Sequence, residues 1–379
     1  MKILSKREVL KKIHSILPED IKNLSMLFQM NDFDIFLVGG CIRDTFLNKE
    51  AKDFDVCTNA TPDQIKRILR LNNIEFNEQG AHFGVIVAKL SEDVEIATFR
   101  SDFSNDTGNN QDTEVTFGVT LEEDLQRRDL TINAIALNLS TNEIVDTFNG
   151  IDDLKNEIVR TVGNADDRFK EDSLRKLRSI RFSTRLGFEL HEDIIFSIQK
   201  DPSLNISKER IVGELENTFD KCQSVNHVIN LLHDLKIAND IFDNLFVTWN
   251  TLEINSFNSF LLSFINTSNT NIKDKLLELK FSVKTAHTVD TIIQLKRHFK
   301  SDTINAFSMA KKLKQCDIPL KDVISFIDPV FTNQIIFLWQ FEMDKKVTQD
   351  FIDAGLKGKD IGDAISKWTQ AQFIQAGVQ

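Results

Sequence analysis

Ile35-Phe36-Leu37-Val38-Gly39-Gly40-Cys41-Ile42-Arg43-Asp44, followed by Lys52-Asp53-Phe54-Asp55-Val56, is the stretch on which the fold turns. Four apolar residues ending at a glycine pair predict a short buried strand and a turn. The alternation from Asp53 to Val56 predicts a further strand, in which side chains two apart share a face. Asp53 and Asp55 then point one way while Phe54 enters a core. Two carboxylates on one face repel unless a cation sits between them, and such hard oxygen ligands suit Mg²⁺. A pair of these ions can activate an attacking 3′-hydroxyl and stabilise a leaving pyrophosphate. Gly39 and Gly40 let backbone amides approach a triphosphate, and Arg43, beside Asp44, can supply charge-assisted contacts to it. Asp at spacing two also occurs on solvated strands; the apolar strand, glycine turn and Arg-Asp pair set this example apart.

Working outward, Thr61-Pro62-Asp63-Gln64 has the form of a helix start, with Thr as N-cap, Pro at the first position and Gln closing a capping box. Phe83–Val87 and Val94–Phe99 predict further strands, the second carrying Glu95 as a candidate third carboxylate. Ser101 to Thr113, rich in Ser, Asn, Asp and Gly, predicts a mobile polar loop. After Gly150 the strand signals nearly vanish, and apolar residues recur at three and four, as in Leu174, Leu177 and Ile180. The remainder is therefore expected to be helical.

Two further constellations carry chemistry. In Arg127-Arg128-Asp129-Leu130-Thr131-Ile132-Asn133, the Arg, Asp and Asn side chains suit phosphate and ribose hydroxyls together. A helix cap with surface ion pairs would use the same residues. In Glu171-Asp172-Ser173-Leu174-Arg175, continuing to Arg178 and Arg181, helical spacing makes Asp172 and Arg175 neighbours. One reading is a surface ion pair worth a few tenths of a kcal/mol. The other rests on base edges. Cytosine and adenine each present an amino donor beside a ring-nitrogen acceptor, which a carboxylate and a guanidinium complement; uracil and guanine present the reverse pattern. An unpaired buried edge makes that rejection strong.

The chain has 379 residues, 41% hydrophobic and 27% charged, and so exceeds one ordinary core. No apolar stretch has the length of a membrane span. The basic, amphipathic start MKILSKREVLKKIHSIL raises a transit peptide, but it lacks the Arg and Ser bias and carries Glu8. Cys41, Cys57, Cys222 and Cys316 form no CxxC pair, which suits reduced thiols in a cytoplasmic compartment. A net charge of −11 opposes nucleic-acid binding, but Arg160–Arg185 holds eight basic and four acidic residues, and Lys273–Lys314 ten and four. There is no Tyr against 30 Phe, so no tyrosine hydroxyl takes part in any chemistry.

In this order, LVGGCIRD with KDFDV, EEDLQRRDLTINAIA, DTFNGIDDL, RFKEDSLRKLRSIRFSTRLGF and SKERIVGEL resemble the class II tRNA nucleotidyltransferase and bacterial poly(A) polymerase family. The resemblance covers roughly residues 35 to 216 and implies an α+β, polymerase-β-like nucleotidyltransferase head followed by all-α neck, body and tail. The expected domains are a head over 1–150, a neck over 151–220, and a tRNA-binding body and tail over 221–379. It further implies Asp53 and Asp55 as metal ligands, with Gly40, Arg43 and Arg128 at the nucleotide. Asp172 and Arg175 would form the protein template, with Arg178 and Arg181 supporting them. The implied activity is addition of CCA to tRNA from CTP and ATP. Glu78-Gln79-Gly80-Ala81-His82-Phe83-Gly84 stands where poly(A) polymerases have a basic stretch. The GNNQDT loop tip departs from the commoner Gly-Arg-rich form, so A-only addition stays open beside CCA. His227 and His233-Asp234 raise a phosphohydrolase reading, and an inactive RNA-binding homologue is the remaining alternative.

Overall fold

A computed structural model describes residues 3–51, 53–104, 113–242, 254, 256–265, 271–299, 313, 318–319, 322 and 345–375. The chain divides into two compact units, Met1–Asp240 and Ile241–Gln379. The first opens with helices α1 (Lys6–Ile16) and α2 (Glu19–Gln29). Strand β1 (Ile35–Val38), all four residues buried, leads into α3 (Gly40–Phe46) through Gly39 at φ +74°. That left-handed backbone strains any residue with a Cβ, so Gly39 is what lets the strand turn at once into the helix. Strand β2 (Val56–Thr58) precedes α4 (Pro62–Leu71), whose Thr61–Gln64 capping box forms as expected and contributes about 1 kcal/mol.

The sheet continues through β3 (Phe76–Asn77), β4 (Val85–Lys89) and β5 (Asp93–Thr98). A separate hairpin follows, β6 (Arg100–Ser104) with β7 (Thr113–Phe117). After α5 (Leu121–Gln126), β8 (Ala136–Asn138) and β9 (Ile144–Val145) complete a seven-stranded sheet ordered β3-β4-β5-β2-β1-β8-β9. β2 and β5 are parallel; the other neighbours are antiparallel. Phe36, Val38, Cys57, Phe99, Leu125 and Ala136 bury one side of this layer. The loop expected over Ser101–Thr113 is thus partly a hairpin, and residues 105–112 lie outside the described residues.

Helix α6 (Gly150–Asn156) packs where a Cβ on Gly150 would stand 2.2 Å from the Thr131 carbonyl oxygen, a clearance only glycine has. Beyond it come β10 (Ile158–Val159), α7 (Ala165–Glu171), α8 (Leu174–Leu186), β11 (Glu189–Leu190), α9 (Glu192–Lys200), α10 (Lys208–Lys221) and α11 (Val225–Asp234). The expectation of pure helix after Gly150 is corrected by β10 and β11, a two-residue parallel pair that the three-and-four periodicity around it concealed. The chain is nonetheless a mixed-sheet head followed by helices.

In the second unit, helix Phe257–Phe264 buries Phe260 and Phe264, with Phe242 stacked on Phe264 at 5.3 Å, and helices Ile272–Glu278 and Val283–Phe299 come after it. Two helices, Lys345–Asp353 and Lys359–Gln375, follow. Among the described residues no helix is long and apolar enough to cross a membrane.

Candidate functional site

The first unit encloses a cavity of about 960 Å³. Its walls bring together Gly39, Gly40, Arg43, Asp44, Asp53, Asp55, Glu95, Arg128, Asp129, Asn133, Asp172, Arg175 and Arg178 from sequence positions up to 139 residues apart. Nine cationic and seven carboxylate side chains line it, so positive charge is concentrated here although the chain as a whole is acidic.

Asp53 and Asp55 stand immediately before β2 rather than within it, and both are exposed to solvent. The Val38 N–H still donates to the Asp55 carbonyl at 3.2 Å, so the backbone follows β1 although the ladder has ended. The Asp55 carboxyl sits between cavity walls. That desolvation, then Glu95, then Asp53, push its pKa up to about 6, against the pull of Arg128. Mutual repulsion among acids at a cavity floor is the state that a bound cation relieves. Among the described residues no three His, Cys, Asp or Glu side chains converge into a closed metal cage. Mg²⁺ is ordinarily held by one or two carboxylates with waters and substrate phosphates, so a carboxylate pair beside open volume fits it. The sign of this strain gives a test. A carboxyl whose folded pKa exceeds its unfolded value loses stability as pH rises through about 6. Asp55→Asn should therefore raise thermal stability of the metal-free chain at pH 8. Solvent screening leaves on the order of 1 kcal/mol, and no gain is expected below about pH 4. Melting curves at the two pH values, with and without Mg²⁺, read this directly; Mg²⁺ should close the gap at pH 8.

On the next wall the motifs interlock. Arg43, only 3% exposed, is engaged by Nε and Nη2 with Asp44, each at 2.8 Å, and by Nη1 with Asn133 at 2.6 Å. Asn133 in turn donates to Asp129 at 3.2 Å, and Asp129 receives Arg178 at 2.6 Å and the Leu130 N–H at 2.8 Å. Burial pushes the Asp129 carboxyl up, but Arg178, Asn133 and the backbone outweigh it and hold it below the usual carboxylate range. Arg185 reaches Asp44 at 3.3 Å. The chain Arg185–Asp44–Arg43–Asn133–Asp129–Arg178 thus ties the Gly-Gly motif to the RRD motif and to α8. Much of Arg43's donor capacity thus goes to Asp44 and Asn133, while its side chain also lines the cavity. Phe182 supports the same wall, with the guanidinium of Arg43 5.0 Å, Arg181 4.5 Å and Arg178 5.8 Å from its ring centroid.

Arg127 and Arg128 share the fully buried Asp124, at 2.8 and 3.1 Å. Their i,i+3 and i,i+4 spacing on EEDLQRR was legible in the sequence, yet Asp124 was missed. The Arg128 Nε is buried without a hydrogen-bond partner, a donor at the cavity edge beside Gly39.

Asp172 and Arg175 do not share a helix. Asp172 caps the end of α7 with extended backbone (φ −153°, ψ 105°), and α8 begins only at Leu174. The Asp172 carboxylate accepts from the Leu174 N–H at 3.1 Å, the local bond that breaks the helix there. Its other oxygen accepts from Arg210 of α10 at 2.8 Å. Arg175 donates to Glu171 at 2.7 Å and to the Arg127 carbonyl at 2.8 Å. Arg210 is a second residue missed by sequence reasoning; no local spacing links it to Asp172. Arg181 is the one expected site residue that does not line the cavity: it is buried in an ion pair with Glu214. Its i,i+3 row from Arg178 drifts off the cavity face because the helix turns by more than three residues per turn.

Of the histidines considered for a phosphohydrolase, His233 meets Asp234 at 3.2 Å on an exposed face of α11.

A Poly A polymerase head domain matches residues 35–160, the part of the chain that builds the sheet and the carboxylate floor. The CCA-adding enzyme of Staphylococcus saprophyticus subsp. saprophyticus is 32% identical over 330 residues, 84% of this chain and 79% of that protein. This chain belongs to the CCA-adding enzyme family. The CCA-adding enzyme of Oceanobacillus iheyensis is 40% identical over 210 residues, 55% of this chain and 51% of the relative. At this higher identity the chain spans about half the length of the curated relatives it matches. A solved Thermotoga maritima CCA-adding enzyme complexed with tRNA-CCA superposes with a TM-score of 0.72, covering 98% of this chain and 95% of that one at 17% identity. The family's fold therefore extends through the helical half, where the sequence carries no motif.

Proposed function

We propose that this chain adds CCA to the 3′ end of tRNA from CTP and ATP, releasing pyrophosphate. The observation that carries the reading is one cavity holding both the Asp53/Asp55 pair and the Asp172/Arg175 pair. Asp53 and Asp55 would hold Mg²⁺, which would supply a lowered pKa to the attacking hydroxyl and charge neutralisation to the leaving phosphates. Gly39 and Gly40 admit the triphosphate close to backbone, where the partly exposed guanidinium of Arg128 meets it. Asp129 and Asn133, fixed by Arg178 and Arg43, hold that wall rigid so that the nucleotide is positioned without reorganisation. Asp172 accepts from the amino group of C or A, and Arg175 donates to the ring nitrogen. Both are already hydrogen-bonded, so an incoming base exchanges partners rather than meeting bare charge. We further propose the division into a head over 1–150, a neck over 151–220 and a tRNA-binding remainder over 221–379, and a cytoplasmic location.

The test is incubation of tRNA lacking its 3′ CCA, or ending in CC, with each nucleoside triphosphate singly and in pairs. CTP should extend the first by two nucleotides, and ATP should then complete it. Use of ATP on the CC-ended tRNA with no use of CTP would establish A-only addition instead.

A further inference from the structure

Opposite charges on neighbouring residues ordinarily pair with each other, yet Asp172 and Arg175 do not. They lie one turn apart, with the Arg175 N–H donating to the Asp172 carbonyl at 3.0 Å. Arg175 is drawn aside by Glu171 at 2.7 Å and by the Arg127 carbonyl at 2.8 Å. Arg178, the next cation along α8, is taken by Asp129 at 2.6 Å. The cation that holds Asp172 is Arg210, at 2.8 Å, and Arg210 itself lines the cavity.

Arg210 stands in the first turn of α10, where its N–H donates to the capping Ser207 hydroxyl at 3.4 Å. One turn further on, Glu214 is locked to Arg181 of α8, and both are buried. The elements that carry the Asp172–Arg210 contact are therefore fixed to each other. The carboxylate is held at both oxygens, by the Leu174 N–H and by Arg210, so it cannot swing without losing two bonds. An ion pair whose side chains are 21% and 32% exposed adds little to stability. Its consequence is geometric. Without Arg210, Asp172 is left with Arg175 one turn away, and closing that gap would spend acceptor and donor on one bond with nothing left to read a base.

We propose that Arg210 is a positioning residue for base selection: it holds the Asp172 carboxylate apart from Arg175, so that the two meet an incoming base as separate acceptor and donor. On base entry the amino group takes over the hydrogen bond from Arg210, and the guanidinium stays beside the carboxylate as its counter-charge. This rests on the nucleotide-addition reading above. The competing role for a cation in this cavity is a phosphate contact, which treats all four nucleotides alike.

Values of kcat/KM test it, with CTP and UTP on tRNA lacking its 3′ CCA and with ATP and GTP on tRNA ending in CC. Arg210→Gln should lower the CTP and ATP values roughly tenfold, within the ~10²-fold that a 1 Å misplacement can cost, and change UTP and GTP by less than about threefold. The CTP/UTP and ATP/GTP ratios then fall together. Arg210→Lys keeps one charged donor for the same oxygen and should hold both ratios within about threefold of wild type. In an Asp172→Ala background there is no carboxylate to hold, and Arg210→Gln should move the ratios by less than about twofold. Unchanged ratios in Arg210→Gln, or an equal loss for all four nucleotides, would overturn the proposal while leaving nucleotide addition intact. Equal damage by Arg210→Lys, or an undiminished effect of Arg210→Gln in the Asp172→Ala background, would overturn it as well. Absence of any addition by wild type defeats the underlying reading, and this inference with it.

Discussion

Asp53→Ala or Asp55→Ala should lower nucleotide incorporation by at least about 10³-fold, because removing even one stabiliser of transition-state charge costs about 10²–10³. Both residues are exposed on the cavity floor, so neither substitution opens a core void. On the proposed reading, what is lost is an oxygen ligand that would hold a cation against the reacting phosphate. The readout that separates this from misfolding is RNA affinity. Deleting an acid beside phosphates should leave tRNA binding unchanged or tighter. Incorporation of labelled nucleotide within tenfold of wild type by either variant would show that the carboxylates do not carry the chemistry.

The second large effect is on choice of base. Asp172→Ala should erode discrimination of CTP and ATP against UTP and GTP by roughly 10³-fold, since a site built to hydrogen-bond one edge rejects a mismatched edge by about 10⁴–10⁵. Asp172→Asn is the sharper variant. Its amide can donate where the carboxylate only accepts, which complements the carbonyl that uracil and guanine present. Preference should therefore move toward UTP and GTP rather than simply weaken. The ratio of kcat/KM values for the four nucleotides measures this. Because Asp172 also anchors Arg210 and the start of α8, thermal melting of each variant belongs beside the kinetics. A full-strength CTP and ATP preference in Asp172→Asn would place base selection on other residues.

Much of the site was legible because its chemistry is written in short stretches. A strand ending in Gly39-Gly40 dictates where the turn falls, and Asp53 and Asp55 flank Phe54 by elementary alternation. Where the reading failed, the cause was local competition or distance. Asp172 and Arg175 were placed on one helix by spacing, but the Asp172 side chain takes the Leu174 N–H and ends α7. Arg181 was grouped with Arg178 by the same spacing, yet Glu214, 33 residues on, buries it. Asp124 is a helical neighbour of Arg127 and Arg128 by spacing, but such spacing alone does not separate a buried shared carboxylate from a surface ion pair.

The sequence by itself determined the mixed-sheet head and the family, and singled out the carboxylates of the candidate site, because periodicity, turn glycines and side-chain chemistry act over a few residues. Only the tertiary structure decided which cations meet which acids. Arg185 finds Asp44 across 141 positions, Arg178 finds Asp129 across 49, and Arg210 finds Asp172 across 38. Coulomb attraction and burial depend on distance in space, and chain spacing beyond one helical turn does not encode that distance.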